Sequence, residues 1–371
     1  MARRTQGGKA ATAERSASRD GRNRSLATRA RDLRRSGESA QTLVGFYRQM
    51  VLIRRFEEKT GEMYTRAKIG GYCHLNLGEE ATIVGAIPAL EPHDYIFTNY
   101  REHGYMLARG VEPRRVMAEL FGKEAGVSRG RGGSMHLFDA ETRFMGGYAI
   151  VGGQLPLATG AGLAISYRGG EEVVFCQMGD GTTNIGAFHE SLNLAQLWKL
   201  PVIFFIVNNQ YGMGTTVEHA SALPELHRRA CAYDMRSGRV DGNDVLAVRR
   251  VVREAVEVAR RKSLPSLVEA VSYRFRGHSV VDPARYRPEE EVRHWRALDP
   301  VLAFGRALRE AGVLDEAAIK GIDDEIQDLV DEAVRFAEES PDPEVADLFK
   351  YDYATDVANA ERKLPGAEKW P

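Results

Sequence analysis

The chain has 371 residues, 43% apolar and 28% charged, with a formal net charge of −1. That length can bury a large core, and no run approaches the roughly eighteen uninterrupted apolar residues of a membrane span. The three cysteines, Cys73, Cys176 and Cys231, are odd in number and lack Cys-x-x-Cys spacing, which favours small core thiols in a reduced compartment over a disulfide framework.

Residues 1–39 hold eleven Lys and Arg against four Asp and Glu, a net of +7 that leaves −8 for the remainder. The stretch is too poor in large apolar residues to offset the entropy of ordering, so a disordered basic tail is expected. A solvated tail is preferred over a docking arm for an acidic partner, and Glu14, Asp20, Asp32 and Glu38 argue against an organelle transit peptide. Ser39 then reads as a helix cap, and Leu43, Phe46, Tyr47, Met50, Ile53 and Phe56 recur at helical spacing, predicting an amphipathic helix to about Arg66. Gly70 to Leu75 turn into Leu77-Gly78-Glu79-Glu80-Ala81 and a second helix, with Glu79-Glu80 read as beginning a solvated or N-terminal helix face.

Tyr95 to Phe97 reads as a short strand that ends in Asn99-Tyr100-Arg101-Glu102-His103-Gly104. Gly130 to His136 reads as a loop, and its single Arg-Gly-Gly, without repeats or stacking aromatics, argues against RNA binding. A small-residue helix is expected from about Pro156 to Tyr167; Gly160-Ala161-Gly162 within it lacks the third glycine and the preceding strand of a dinucleotide fingerprint and is read as close helix packing.

Val173 to Met178 and Val202 to Val207 are apolar runs joined by a helical pattern over Asn184 to Lys199. The first ends in Gly179-Asp180-Gly181 and the second in Asn208-Asn209. A parallel strand-helix-strand unit brings both strand ends to the sheet edge where open α/β proteins bind ligands. A carboxylate, an amide oxygen and a backbone carbonyl there suit a magnesium ion that takes its other ligands from a diphosphate and water. Gly181 allows close backbone approach, and the following helix N-terminus is expected to add amide donors for the same anion. Beyond this unit, Asp241-Gly242 marks a turn, Val245 to Arg261 a helix and Leu267 to Ser272 a strand. That strand leads into Tyr273-Arg274-Phe275-Arg276-Gly277-His278-Ser279, an irregular stretch through Pro283 and Pro288, and two helical patterns at Pro300 to Ala311 and Asp315 to Glu339.

Taken together, His74, Tyr100-Arg101, Gly132-Gly133-Ser134-Met135-His136, Ile150-Val151-Gly152, Gly179-Asp180-Gly181, Asn208 to Gly214 and Arg276-Gly277-His278-Ser279 resemble the alpha subunits of thiamine-dependent 2-oxoacid dehydrogenases, nearest the pyruvate type. The resemblance spans about residues 40–345. It implies an α/β thiamine diphosphate-binding fold with a central, mainly parallel sheet flanked by helices and helical N- and C-terminal extensions. The implied organisation is a basic tail over 1–39, the cofactor-binding domain over 40–345 and a polar tail over 346–371. It further implies that Asp180, Asn209 and the Tyr211 carbonyl hold Mg2+, that Tyr100 and Arg101 meet the diphosphate with Gly181 and Thr182 in support, and that Ala149 and Val151 meet the aminopyrimidine through backbone atoms. His278 would lie beside the reacting carbon and His74 nearer the substrate entrance, as the two catalytic candidates; His103 and His136 are read as structural. Imidazoles that titrate near neutrality suit proton handling there.

In this cofactor class the activating glutamate resembles one supplied by a second, pyrimidine-binding domain. Only one diphosphate-binding unit is visible here; Glu80 is a weak candidate for that base. A separate beta subunit in an α2β2 heterotetramer is therefore expected, with the acetyl group of pyruvate passed to a lipoyl arm of an acyltransferase component. Acetoin or branched-chain 2-oxoacid dehydrogenase alpha subunits are the alternatives within the class. A non-catalytic scaffold and a nicotinamide dehydrogenase lie outside it. A bacterial cytoplasmic location is preferred to the mitochondrial matrix, and Ser279 is expected to be an unmodified loop serine.

Overall fold

The computed structural model describes residues 30–350. Within them eight strands follow in chain order: β1 (Tyr95–Asn99), β2 (Phe144–Tyr148), β3 (Val174–Gly179), β4 (Val202–Asn208), β5 (Tyr211–Gly212), β6 (Thr215–Thr216), β7 (Arg236–Asp241) and β8 (Ser266–Val271). Six form one sheet in the order β2-β1-β3-β4-β8-β7 with every neighbouring pair parallel, and β5 and β6 make a separate antiparallel ribbon. The expected parallel sheet with flanking helices is what the chain forms.

The central strand explains the two-sided architecture. Every residue of β4 is buried, and its side chains alternate: Ile203, Phe205 and Val207 enter one apolar cluster, Val202, Phe204 and Ile206 the other. The two-residue period of a strand sends successive side chains to opposite faces, so both faces need a helical cover. The first face is covered by helices Ala40–Thr65, Glu80–Ala86 and Val245–Lys262, the second by Gln154–Arg168 and Gly186–Leu197. Phe175 and Phe205 touch at 5.1 Å between ring centres on the first face. Burial of each such side chain contributes about 1.5–3 kcal/mol.

The predicted elements differ from the observed ones mainly at their ends. Ser39 caps the long helix by accepting from Thr42 N, and the helix runs Ala40–Thr65. An additional short helix, Ala30–Arg35, buries Leu33 within the expected tail; residues 1–29 and 351–371 lie outside the described residues. The C-terminal helices are Pro300–Glu310 and Glu316–Glu339, both capped by an aspartate, Asp299 and Asp315. In the small-residue helix, a Cβ on Gly162 would lie 2.6 Å from Val202, so close packing holds there. Gly160 faces open space, and the packing reading fails at that position.

Two corrections bear on function. The helix expected from Asn184 starts at Gly186, and Gly181 lies in a preceding 3-10 helix, Asp180–Asn184, with Ile185 extended between the two. Glu79 and Glu80 do begin a helix, as its N-cap and first residue, but they are not solvated: both are buried with polar partners inside the fold.

Candidate active site

The sheet order reverses between β1 and β3, since β2 lies outward of β1 while β3 and β4 extend the other way. Ligands in open α/β sheets lodge beyond the carboxyl ends of strands at such a point. Apart from His74, every candidate residue follows a strand end closely: Tyr100 and Arg101 after β1, Ala149 and Val151 after β2, Asp180 to Thr182 after β3, Asn209 and Tyr211 after β4, and His278 after β8. His74 arrives from the turn between helices Ala40–Thr65 and Glu80–Ala86. Five sequence-distant strand ends thus meet at one edge.

At that edge is a cavity of about 590 Å3, walled by residues that include His74, Tyr100, Ala149, Val151, Met213 and His278; Arg101, Asp180 to Thr182, Asn209 and Tyr211 are not among its lining residues. The rings of His74 and Tyr100 lie 4.5 Å apart, those of His74 and His278 5.1 Å, and those of Tyr100 and His278 5.7 Å. Nδ1 of each histidine is buried and finds no hydrogen-bond partner among the described residues. Burial first, then the Arg101 guanidinium, lowers the His74 pKa to about 2 and the His278 pKa to about 4. Both imidazoles are neutral at pH 7, which corrects the expectation that they titrate near neutrality. An anion seated against that guanidinium would raise both values.

After β3, Asp180 is buried and its pKa is pushed up to about 6, burial being the main cause. A Cβ on Gly212 would lie 3.7 Å from Asp180 Oδ2 and 3.8 Å from Gly181 Cα, so the β5 turn closes directly over the carboxylate. Asn209 Nδ2 donates to Glu79 Oε1 at 2.8 Å, while Asn209 Oδ1 is buried without a partner among the described residues. The Tyr211 carbonyl accepts from Arg274 Nη1 at 3.1 Å and keeps a second lone pair. No cluster of three or more His, Cys, Asp and Glu suited to a metal occurs among the described residues. A carboxylate, a free amide oxygen and a carbonyl nevertheless fit a hard cation that completes its shell with phosphate and water.

Sequence reasoning missed several neighbours. Arg274 is fully buried and bonds the Tyr211 and Met213 carbonyls and the Tyr286 hydroxyl; with Arg101 it makes this edge cationic. Arg101 itself donates to the Leu75 and His278 carbonyls, at 2.7 and 2.8 Å, and so ties the His278 loop to the β1 end. Asp282 accepts from His278 N and from the Tyr286 hydroxyl, both at 2.6 Å, and Gly277 packs so closely that a Cβ would lie 2.2 Å from the Asp282 carbonyl. Nothing in the sequence around Arg274, Asp282 or Tyr286 marks them. His103 bridges Glu57 Oε2 and Ser134 Oγ, each at 2.9 Å, and His136 Nδ1 meets the Gly147 carbonyl at 3.0 Å, both as structural ties. Glu80 pairs with Arg54 and lies in a buried ion triad with Asp299.

The sequence matches the dehydrogenase E1 component family over residues 48–346. It is 46% identical over 304 residues to a protein of Rhizobium meliloti named pyruvate dehydrogenase E1 component subunit alpha, covering 82% of this chain and 87% of that one. Proteins of the same name from Zymomonas mobilis and Porphyra purpurea are 45% and 42% identical, covering 83% and 84% of this chain and 88% and 93% of theirs.

Proposed function

The chain belongs to the dehydrogenase E1 component family, and from that premise we propose that it is the alpha subunit of the decarboxylating component of pyruvate dehydrogenase, acting with thiamine diphosphate and Mg2+ and completed by a beta subunit. The observation that carries the reading is the buried, unpartnered Asn209 Oδ1, which follows β4 as the buried Asp180 follows the neighbouring β3. The names of the relatives favour pyruvate over acetoin and branched-chain substrates.

In this reading Asp180, Asn209 Oδ1 and the Tyr211 carbonyl hold magnesium. Arg101 and Arg274 supply a buried positive field that draws in the diphosphate, and Tyr100, Gly181 and Thr182 flank it. Backbone atoms of Ala149 and Val151 face the aminopyrimidine. Thiamine diphosphate supplies the electron sink that a 2-oxoacid needs to lose carbon dioxide. The chain's own work is to orient, exclude water and move protons. His278 and His74, neutral and with a free Nδ1 each, can accept or pass a proton at the substrate side of the cavity.

A partner is supported by two features. Asp282, the one carboxylate among the described cavity-lining residues, is already engaged by His278 N, Ala284 N and the Tyr286 hydroxyl, which supports supply of the activating glutamate by another chain. The two helices Gln154–Arg168 and Gly186–Leu197 also carry exposed Leu157, Leu163, Tyr167 and Leu197, with Trp198 just beyond the second and Ile150 before the first. Apolar surface of this kind marks a subunit interface. Transfer of the acetyl group to a lipoyl arm completes the proposal. Pyruvate decarboxylation, with thiamine diphosphate and Mg2+ added, is measured on this chain alone and with the beta subunit. Activity is expected only in the mixture; full activity of the chain alone would refute the shared site, and activity of the mixture with acetoin or branched-chain 2-oxoacids only would change the substrate.

A further inference from the structure

The two asparagines that end β4 each turn their amide nitrogen to a different buried glutamate. Asn208 Nδ2 donates to Glu269 Oε1 at 2.7 Å, and Asn209 Nδ2 to Glu79 Oε1 at 2.8 Å. Glu79 is 1% exposed, and its other oxygen accepts from Asn76 Nδ2 at 2.9 Å. Asn76 is itself fixed, because its Oδ1 accepts from Gly104 N at 3.0 Å. Glu79 therefore faces two amide donors at once, and a carboxylate is the side chain that can accept from both.

We propose that Glu79 is a positioning residue: by accepting from Asn209 Nδ2 it turns Asn209 Oδ1 toward the cation site. An asparagine amide has two orientations of almost equal shape, and only the group behind it selects which atom points forward. With a carboxylate behind, the oxygen points forward. The inference rests on the reading of Asp180 and Asn209 as magnesium ligands. Partners behind a metal ligand commonly change metal affinity by about 10–100-fold when removed.

Glu79→Gln is the diagnostic change. The two donors meet different oxygens of Glu79, so in the glutamine one of them meets the carbonyl and the other, from Asn76 or Asn209, meets an NH2. Since Gly104 N holds Asn76, Asn209 gives way by flipping, which presents a donor nitrogen to the cation. In an Asn76→Asp background the conflict disappears: the introduced glutamine donates to the introduced aspartate and accepts from Asn209 again.

The test is titration of Mn2+ into the full-length chain, alone and with the beta subunit, in the presence of thiamine diphosphate, following the free Mn2+ signal by electron paramagnetic resonance. No binding by the native protein would sink the reading of the site itself, a result distinct from those below. Given native binding, Glu79→Gln and Asn209→Ala should each raise the Mn2+ Kd at least about tenfold. The double variant should be no worse than either single one, because a flipped amide already withholds its oxygen. Multiplying losses, or native affinity in Glu79→Gln, would overturn the proposal. The pair Glu79→Gln with Asn76→Asp should recover most of the affinity, and serves as the test if circular dichroism finds Glu79→Gln unfolded. A folded pair that binds no better than Asn209→Ala would equally overturn it.

Discussion

Two buried polar regions of the molecule are built on opposite terms. In one, against the long helix Ala40–Thr65, Arg54 binds Glu80 at 2.7 Å and Asp299 at 2.8 Å, so each charge has an opposite charge beside it. In the other, at the sheet edge, Asn209 Oδ1, His74 Nδ1 and His278 Nδ1 are buried with no partner among the described residues, and the Asp180 pKa is raised. Satisfied buried charge holds elements together, whereas polar atoms that the fold leaves over are kept for a ligand.

That contrast can be broken or sharpened experimentally. Asp180→Ala should abolish magnesium-dependent thiamine diphosphate binding while leaving the melting temperature of the cofactor-free chain near native, checked by calorimetric titration and thermal scanning. His278→Ala should keep cofactor binding and lose about 10²–10⁴-fold in turnover with the beta subunit; unchanged turnover would take this residue out of the mechanism. Arg54→Met should do the reverse. It leaves Glu80 and Asp299 buried without their counter-charge, at a cost of about 3–5 kcal/mol in urea unfolding, with cofactor affinity of the folded fraction unchanged.

A pH series tests the sheet edge from another side. The folded His74 pKa lies below its unfolded value, so the unfolded chain takes up the proton first as the solution is acidified. The stability this neutral imidazole represents is present above about pH 6.5 and is lost as pH falls toward 2, at about 1 kcal/mol per pH unit. His74→Asn should therefore flatten the acid side of the stability profile between about pH 6 and 4. The smallest effect is expected at the surface: Arg48→Ala removes an exposed pair with Glu325 and should change stability by less than about 1 kcal/mol.

The four interior strands and the strands missed from sequence divide by position in the sheet. β1, β3, β4 and β8 lie inside and read as apolar runs because both faces are covered. β2 and β7 are the edges, and neither has such a run: Phe144–Tyr148 contains Gly146 at φ 97° and Gly147, and Arg236–Asp241 carries three charged residues and a glycine. An edge strand pairs on one side only and tolerates polarity that hides it from pattern reading. The candidate ligands Asp180 and Asn209 stand out because short motifs mark them, but what orients them does not. Glu79 looks like the solvated start of a helix until Asn76 and Asn209, contributed by other segments, are found against it. Arg274 sits between Tyr273 and Phe275 with no local mark of its fully buried guanidinium.

The gathering of five strand ends at one edge also bears on how the protein assembles. The edge is closed across a long stretch of chain, since Arg101 after β1 and His278 after β8 stand 177 positions apart and are fastened to each other. The edge is therefore expected to be completed late in folding, because distant pairings must close first. Conversely, a bound cofactor stabilises every strand together by mass action. Protection of β2 and β8 amides from hydrogen exchange should rise in step when it binds, although the two strands never touch.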